Sequence, residues 1–551
     1  MIRRLLTMAW VAMLVMLASV AAAQSAQTPP EGTGRISGTV TRGGGVAVPN
    51  AIVRWVRWVG GTGQQGGGRA DAQGKFVFEK LLPGSYQVTA QAEGLVTVEF
   101  GQTNAGQPGK RIELAEGQSF DHADIVLFRN GAVEGIVTDE FGDPAPGITV
   151  QLAQPMMVAG VRRLMPAAGN PPQPSDDRGH YRVPNVPPGE YYVLALSGAF
   201  SQPETLAGFA PTFFPGTALP GQARAVRVTA GQDLLDVNFA LSPAPLRTVT
   251  LRAADPAGAP QSAMLLLAAM SGGDVKAMIT ARGQTAPDGT FSFRNVPQGT
   301  YLLQGFGRPE NGSGSVGSSP FGSQVVDVQQ DASDVRLVIR SSPTMRGHIL
   351  FEGDATQLKP SAVRLQGAPV EFLTSPLIGG GPPRMTVNDD WTFEVRDLFG
   401  LRVIRASVGA PGWYVKRVTL KGEDVTNTPI DFRNGDVNDV DVTLSNHPAS
   451  ITGAVMDGAA PVREFSVVLF AEDAAKWGLG SPYITMARPL PDGTFRLASL
   501  PGAAYLAVAL TSVSATDVQD AAFLESLRGQ ATRVVVGDGE TKSVTLKIIK
   551  R

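Results

Sequence analysis

Cysteine is absent from all 551 residues. That excludes disulfides, thiolate metal sites and a lipid attached through a cysteine, so each folded unit must hold itself by burial alone. Histidine is almost as scarce. His122, His180, His348 and His447 lie far apart and form no H-E-x-x-H or H-x-H pair, so each reads as a surface or strand residue and not as a metal ligand. No G-x-S-x-G occurs, which weakens a hydrolase elbow. A Ser–His–Asp triad has no fixed spacing, and nothing in the chain points to one. The formal charge is only −2, and loss of Arg3 and Arg4 with an N-terminal leader leaves 45 basic against 49 acidic side chains, or −4. A balance so near neutral argues against nucleic acid and against electrostatic binding to anionic lipid. Aromatics are few, and no apolar run after the first 23 residues is long enough to span a bilayer.

Glycine and proline are plentiful, with 64 and 41 copies. Both interrupt helices and mark turns, which suits an all-β chain of many short strands. A 43% hydrophobic share is enough for several small cores. Residues 1–23 read as a signal peptide: Arg3 and Arg4 precede an apolar run from Leu5 to Val20, and Ala21-Ala22-Ala23 places cleavage before Gln24. An uncleaved anchor is the alternative, and the short run ending in small residues favours cleavage. Residues 24–33 form a polar linker, and the chain is expected to end on its last strand without a tail for a sorting signal.

One phrase recurs about every 100 residues. Its fullest copy runs from Asp176 to Val193: an Asp/Gly turn at Gly179, alternating Tyr181 and Val183, a Pro187-Pro188-Gly189 turn, then alternating Tyr191 and Val193. Period-two alternation places every second residue on one face of a strand. Copies centre on Gly74, Phe76, Phe78, Gly84 and Tyr86; on Gly289, Phe291, Phe293, Gly299 and Tyr301; and on Gly493, Phe495, Leu497, Gly502 and Tyr505. A degenerate copy has Trp391, Phe393, Val395 and Gly400 and lacks the tyrosine. This period exceeds that of a solenoid and fits a string of domains. The predicted units are 34–129, 130–243, 244–341, 342–446 and 447–551. The glycine-rich stretch 60–69 reads as a flexible hairpin loop; it lacks the helix and GK[ST] ending of a phosphate cradle. The Gly/Ser-rich stretch 305–323 reads as a mobile loop. Residues 517–527 read as one or two helical turns.

In the second unit Gly135, Val137, Asp139, Gly142, Pro144, Gly147, Val150 and Leu152, followed by Asp176, Gly179, Tyr181, Pro188, Gly189 and Tyr191, resemble the carboxypeptidase regulatory-like domain. This unit matches best, and the others match mainly through the middle motif. The resemblance implies a transthyretin-like, Greek-key β-sandwich of the starch-binding-like group, here about five in tandem, as in secreted bacterial proteins. The zinc peptidase of the name-giving family is absent. Related adhesin domains carry a Lys–Asn isopeptide bond, but the opening strands of the first three units offer no lysine for one.

The acidic run 436–441 (DVNDVD) alternates as a strand does and does not follow a D-x-D-x-[DN]-G calcium loop, so solvated strand faces are expected there, with calcium the alternative. No cofactor, metal or catalytic group is expected. The remaining candidates are ligand-binding aromatics, because flat apolar rings suit the face of a sugar. They are Trp55, Trp58, Phe213, Phe214 and Trp413, with Phe209 and Tyr414 beside them. Packing inside their own domains is the competing reading for each. The sequence therefore points to an exported, non-enzymatic string of sandwiches, periplasmic, cell-surface or extracellular. It would bind polysaccharide or another envelope protein, or act as a spacer or accessory module with no small ligand.

Overall fold

The structure, a computed structural model, describes residues 32–59, 62–102, 109–158, 161–167, 169–196, 208–270, 278–308, 320–371, 373–377, 384–410, 412–490, 492–514 and 516–550. The leader and nearly all of the linker fall outside them, as does 309–319 of the Gly/Ser-rich stretch. Among the described residues the chain is all-β apart from short helical turns and one α-helix, Ala521–Leu527. No helix among them is long and apolar enough to cross a membrane.

Five hydrophobic cores follow one another, drawn from residues 36–127, 133–241, 249–339, 345–444 and 449–548. One pairing scheme builds them. In the second, the opening strand Gly131–Thr138 pairs antiparallel with the motif strand His180–Val186 and parallel with Asp233–Leu234 and Phe239–Ala240. The facing sheet is Val161–Pro166, Thr149–Val158 and Gly189–Leu196, extended by Thr212–Phe213 and Val226–Val228. An opening strand that ends up beside the closing one is the mark of a Greek-key sandwich. The first, third and fifth sandwiches repeat this with Gly34–Arg42, Leu246–Ala254 and Ala449–Asp457 as the central strand. The fourth departs from it. There Tyr414–Leu420 joins the closing strand Val437–Ser445 in the opening sheet, and Ile430–Asp431 takes the place beside Leu401–Val408.

The motif strand explains why its apolar residues step by two and then by three. Tyr181, Val183 and Val186 are all buried, and the extra residue before Val186 is a β-bulge at Asn185, φ 55°. Two residues there oppose one on the opening strand, which re-phases the alternation so that Val186 still faces inward. Lys80, Asn295, Asp397 and Ser499 stand at the same place with φ of 59°, 55°, 68° and 59°. Among residues with a side chain, left-handed backbone suits asparagine and aspartate best, and costs lysine or serine about 1 kcal/mol.

Within the stretch 60–69, the reading of 62–69 as loop is corrected by the structure, and residues 60 and 61 lie outside the described residues. Thr62–Arg69 is a strand, paired along its length with Ile52–Val59. Its glycines serve packing and not flexibility: a Cβ on Gly66 would stand 2.5 Å from the Trp55 ring. Gly283 lies against Phe291 in the third sandwich in the same way, at 2.4 Å. The helix Ala521–Leu527 is capped by Asp520, whose carboxylate accepts the Ala522 N–H. Its Leu524 and Leu527 close a second core over Val468, Phe470, Leu506 and Val508, so that sheet is buried on both faces.

The sandwiches are not isolated along the chain. Leu266, Phe306 and Phe321 of the third form one buried cluster with Phe399 of the fourth, with ring centroids 5.2 and 5.0 Å apart. Gln304, fully buried, donates to the Ser375 carbonyl at 2.8 Å and accepts the Leu377 N–H at 2.9 Å. Between the fourth and fifth, Asp538 accepts from Tyr414 at 3.1 Å and pairs with Lys416 at 3.0 Å. Lys110 of the first meets Glu464 of the fifth at 2.7 Å.

Candidate functional site

Four of the five sandwiches carry a tyrosine latch. The hydroxyls of Tyr86, Tyr191, Tyr301 and Tyr505 donate to the carbonyls of Leu82, Pro187, Pro297 and Pro501, four residues back, at 2.6 to 2.8 Å. The ring fills the core while its oxygen closes the turn between the motif strand and the next. Burial pushes the Tyr191 phenol up to about 12, and those of Tyr301 and Tyr505 higher still. In the fourth sandwich Val403 stands in the tyrosine's place. The equivalent carbonyl, that of Phe399, is taken instead by Arg402 Nε at 2.6 Å. Arg402 is buried, its Nη1 donates to the Gly367 carbonyl at 3.2 Å, and burial lowers its pKa to about 10.

The turn before the motif strand is held in two ways. Asp71 and Asp176 accept two backbone N–H groups across the turn, as at Arg178 and His180, 2.9 and 2.8 Å from Asp176. Asp288, Asp390 and Asp492 sit two residues later and accept from the N–H and hydroxyl of the following threonine. The carboxylates of Asp176, Asp288, Asp390 and Asp492 are all held below the usual range, chiefly by these hydrogen bonds. These acids organise turns. The run 436–441 is similarly occupied: Asp436 accepts the Thr344 N–H and pairs with Arg346, and Asp441 faces His348. Among the described residues no group of three His, Asp or Glu is placed to hold a metal ion.

The aromatic candidates are not brought together. Phe213 and Phe214 are buried, at 3% and 7% exposure. Phe214 packs edge-on against Phe239, with the Arg224 guanidinium over its ring at 5.0 Å. Phe209 is partly buried against the same core. Trp55 is half-buried, edge to face with Tyr86 at 5.5 Å. The Trp58 side chain lies outside the described residues. Tyr414 is buried. Trp413 is half-buried and edge-on to Phe351 at 5.8 Å, and Phe351 in turn meets Trp391 at 4.6 Å. Trp391 was not among the binding candidates. It occupies, at φ 65°, the turn position that is glycine in the other four sandwiches, and a tryptophan in that place was the signal available.

A cleft of about 1020 Å³ lies where the third and fourth sandwiches meet. The third supplies Asp255, Gln261, Arg308, Phe321, Ser323, Gln324, Arg340 and Ser341, and the fourth Thr374, Phe399, Phe432, Arg433 and Asn434. Phe321, Phe399 and Phe432 are buried beneath it, and its surface is shared almost evenly between polar groups (amide, hydroxyl and guanidinium) and apolar ones such as Pro256 and Pro320. Arg433 is bidentate to Asp431 and 3.8 Å from Glu371, whereas Arg308 and Arg340 have no carboxylate partner among the described residues. Sequence reading missed this site because its walls are loop residues from two repeats, none in a motif.

Residues 35–127 match the family model of the carboxypeptidase regulatory-like domain. The match falls on the first sandwich, whereas the densest run of the motif lies in the second. No curated protein gives a significant match. Among solved structures, the Bacillus anthracis TIE protein aligns over 90% of this chain and 68% of its own, at 10% identity and a TM-score of 0.15. GBS52, the minor pilin of Streptococcus agalactiae, aligns over 39% and 97%, at 16% identity and 0.24. BcpA, the major pilin subunit of Bacillus cereus, aligns over 56% and 99%, at 12% identity and 0.14. Likenesses this loose carry no argument about what this chain does.

Proposed function

We propose that this chain is an exported, non-enzymatic binding protein of the cell envelope, and that saccharide is its ligand class. The observation that carries the reading is the cleft held between two sandwiches that are locked together by Phe306, Phe321, Phe399 and Gln304. Sites between domains are where ligand clefts concentrate, and a cleft with a fixed hydrogen-bonding surface costs little to order on binding. The half-buried rings of Trp391, Phe351 and Trp413 supply a second, apolar surface on the fourth sandwich. The test is a glycan array probed with the chain from Gln24 onward. Reproducible binding to a defined set of glycans supports the reading, and a blank array rejects it.

A second reading, a spacer or accessory module without a small ligand, is favoured by the same interlocks. Asp538 with Tyr414 and Lys416 adds to the Phe399 cluster, so the third to fifth sandwiches are joined by more than their linkers. Small-angle scattering that gives one stiff body, together with a blank array, would favour it.

A further inference from the structure

We propose that the cleft between the third and fourth sandwiches takes an acidic saccharide, with the carboxylate of a uronate ring held by Arg308 and Arg340. The inference deepens the saccharide reading above and rests on it. The charge pattern selects the ligand's sign. Three guanidiniums line the cleft, on a chain whose formal net charge is −2. Arg433 is neutralised by Asp431, but Arg308 and Arg340 are not paired with any carboxylate among the described residues. The one acid in the lining, Asp255, already accepts the Ala259 N–H at 2.9 Å and closes its own turn. A guanidinium fork binds a carboxylate through two parallel hydrogen bonds, which fixes the orientation of the ring as well as its charge.

Two features favour a sugar over an acidic peptide. The Phe321 and Phe399 rings under the cleft are 5% and 7% exposed, so neither aromatic ring is open to anchor an apolar side chain of a peptide. At Phe321 and Arg340 strand addition is blocked as well, because the two bond to each other through both N–H and carbonyl, at 2.9 and 3.0 Å. At the surface are side chains such as Gln324, Ser341 and Asn434, which donate to and accept from hydroxyls. The volume is at the upper end of the roughly 300–1,000 Å³ typical of small-molecule sites, which suits a short oligosaccharide.

Isothermal titration of the chain from Gln24 onward with trigalacturonate, maltotriose and a short poly-glutamate peptide tests this. Trigalacturonate is expected to bind, more weakly at high salt, and to weaken about tenfold or more in Arg308→Ala/Arg340→Ala. Arg340→Lys, which keeps the charge and loses the fork, is expected to fall between the two. Trigalacturonate that fails to bind, or that binds the double variant as well as the wild type, overturns the inference. So does poly-glutamate that binds as tightly as trigalacturonate. Array glycans that bind while trigalacturonate does not leave the saccharide reading standing and remove only this site. A blank array removes both.

Discussion

Replacing each latch tyrosine by phenylalanine keeps the ring in the core and deletes one oxygen. The loss then depends on whether water reaches the carbonyl left behind. A hydrogen bond contributes about 0.5–1.5 kcal/mol net, but a buried carbonyl stripped of its donor costs about 1–3 kcal/mol. The bonds made by Tyr301 and Tyr505 are buried, and those of Tyr86 and Tyr191 only partly so. We therefore expect Tyr301→Phe and Tyr505→Phe to cost their sandwiches about 2 kcal/mol, and Tyr86→Phe and Tyr191→Phe about 1 kcal/mol. For domains of roughly 100 residues each kcal/mol moves a melting point by about 4–8 °C. Calorimetry of the full chain, with hydrogen exchange to assign each transition to its sandwich, reads the shift. The latch also sets a pH limit. Its phenols titrate higher in the folded chain than in the unfolded one, so their contribution is complete below about pH 10 and fades as pH rises through the folded values. The phenylalanine variants should lose less stability than wild type in that alkaline range. Tyr301→Phe and Tyr505→Phe melting like wild type, or Tyr86→Phe losing more than either, would refute the argument.

Two other outcomes follow from the contacts. Gly66→Ala should destabilise the first sandwich by about 1–3 kcal/mol, because its methyl meets the Trp55 ring at 2.5 Å, whereas Gly68→Ala, 3.7 Å from Phe78, should be nearly neutral; thermal unfolding followed by tryptophan fluorescence separates them. Burial pushes the Asp538 carboxyl up, but hydrogen bonds from Lys416, Tyr414 and the Gly502 N–H outweigh it and hold the group below its usual range. Its contribution to the joint between the fourth and fifth sandwiches is therefore present above about pH 4 and lost as pH falls through the folded value. Denaturant melts across pH 2–7 should show a smaller acid-dependent loss in Asp538→Asn, which is already weaker at neutral pH.

The repeated core was legible because its information is local. The spacing of Phe76, Phe78 and Leu81, or of Tyr181, Val183 and Val186, could be read directly, and the bulge explains its uneven step. The glycine-rich strand was not legible, because glycine signals a turn by its backbone freedom, and the reason for Gly66 is a tryptophan on the neighbouring strand. The ring of Phe214 looked available in its Pro/Gly setting, but Phe239, 25 residues later, covers it. The cleft was invisible because Arg340 and Arg433 come to line one cleft only when two sandwiches dock, and no local pattern encodes that docking. One trace of it was present. The consecutive apolar residues of Ala263–Met270 suit a strand with both faces covered, and on the outer face Leu266 is covered by the cluster that includes Phe399.

In every sandwich the entering strand runs parallel to the leaving one, so tension along the polypeptide would slide the two past each other and strain their shared hydrogen bonds together instead of peeling them singly. The overlap is seven residues long in the fifth sandwich, Ser450 to Met456 against Thr541 to Lys547, but only three in the first, Val40 to Arg42 against Ile125 to Leu127, and two in the second, Val137 and Thr138 against Phe239 and Ala240. Pulled from its ends in an optical trap, the chain should yield first near its beginning and last near its end, and the opposite order would show that this overlap does not set its strength under load.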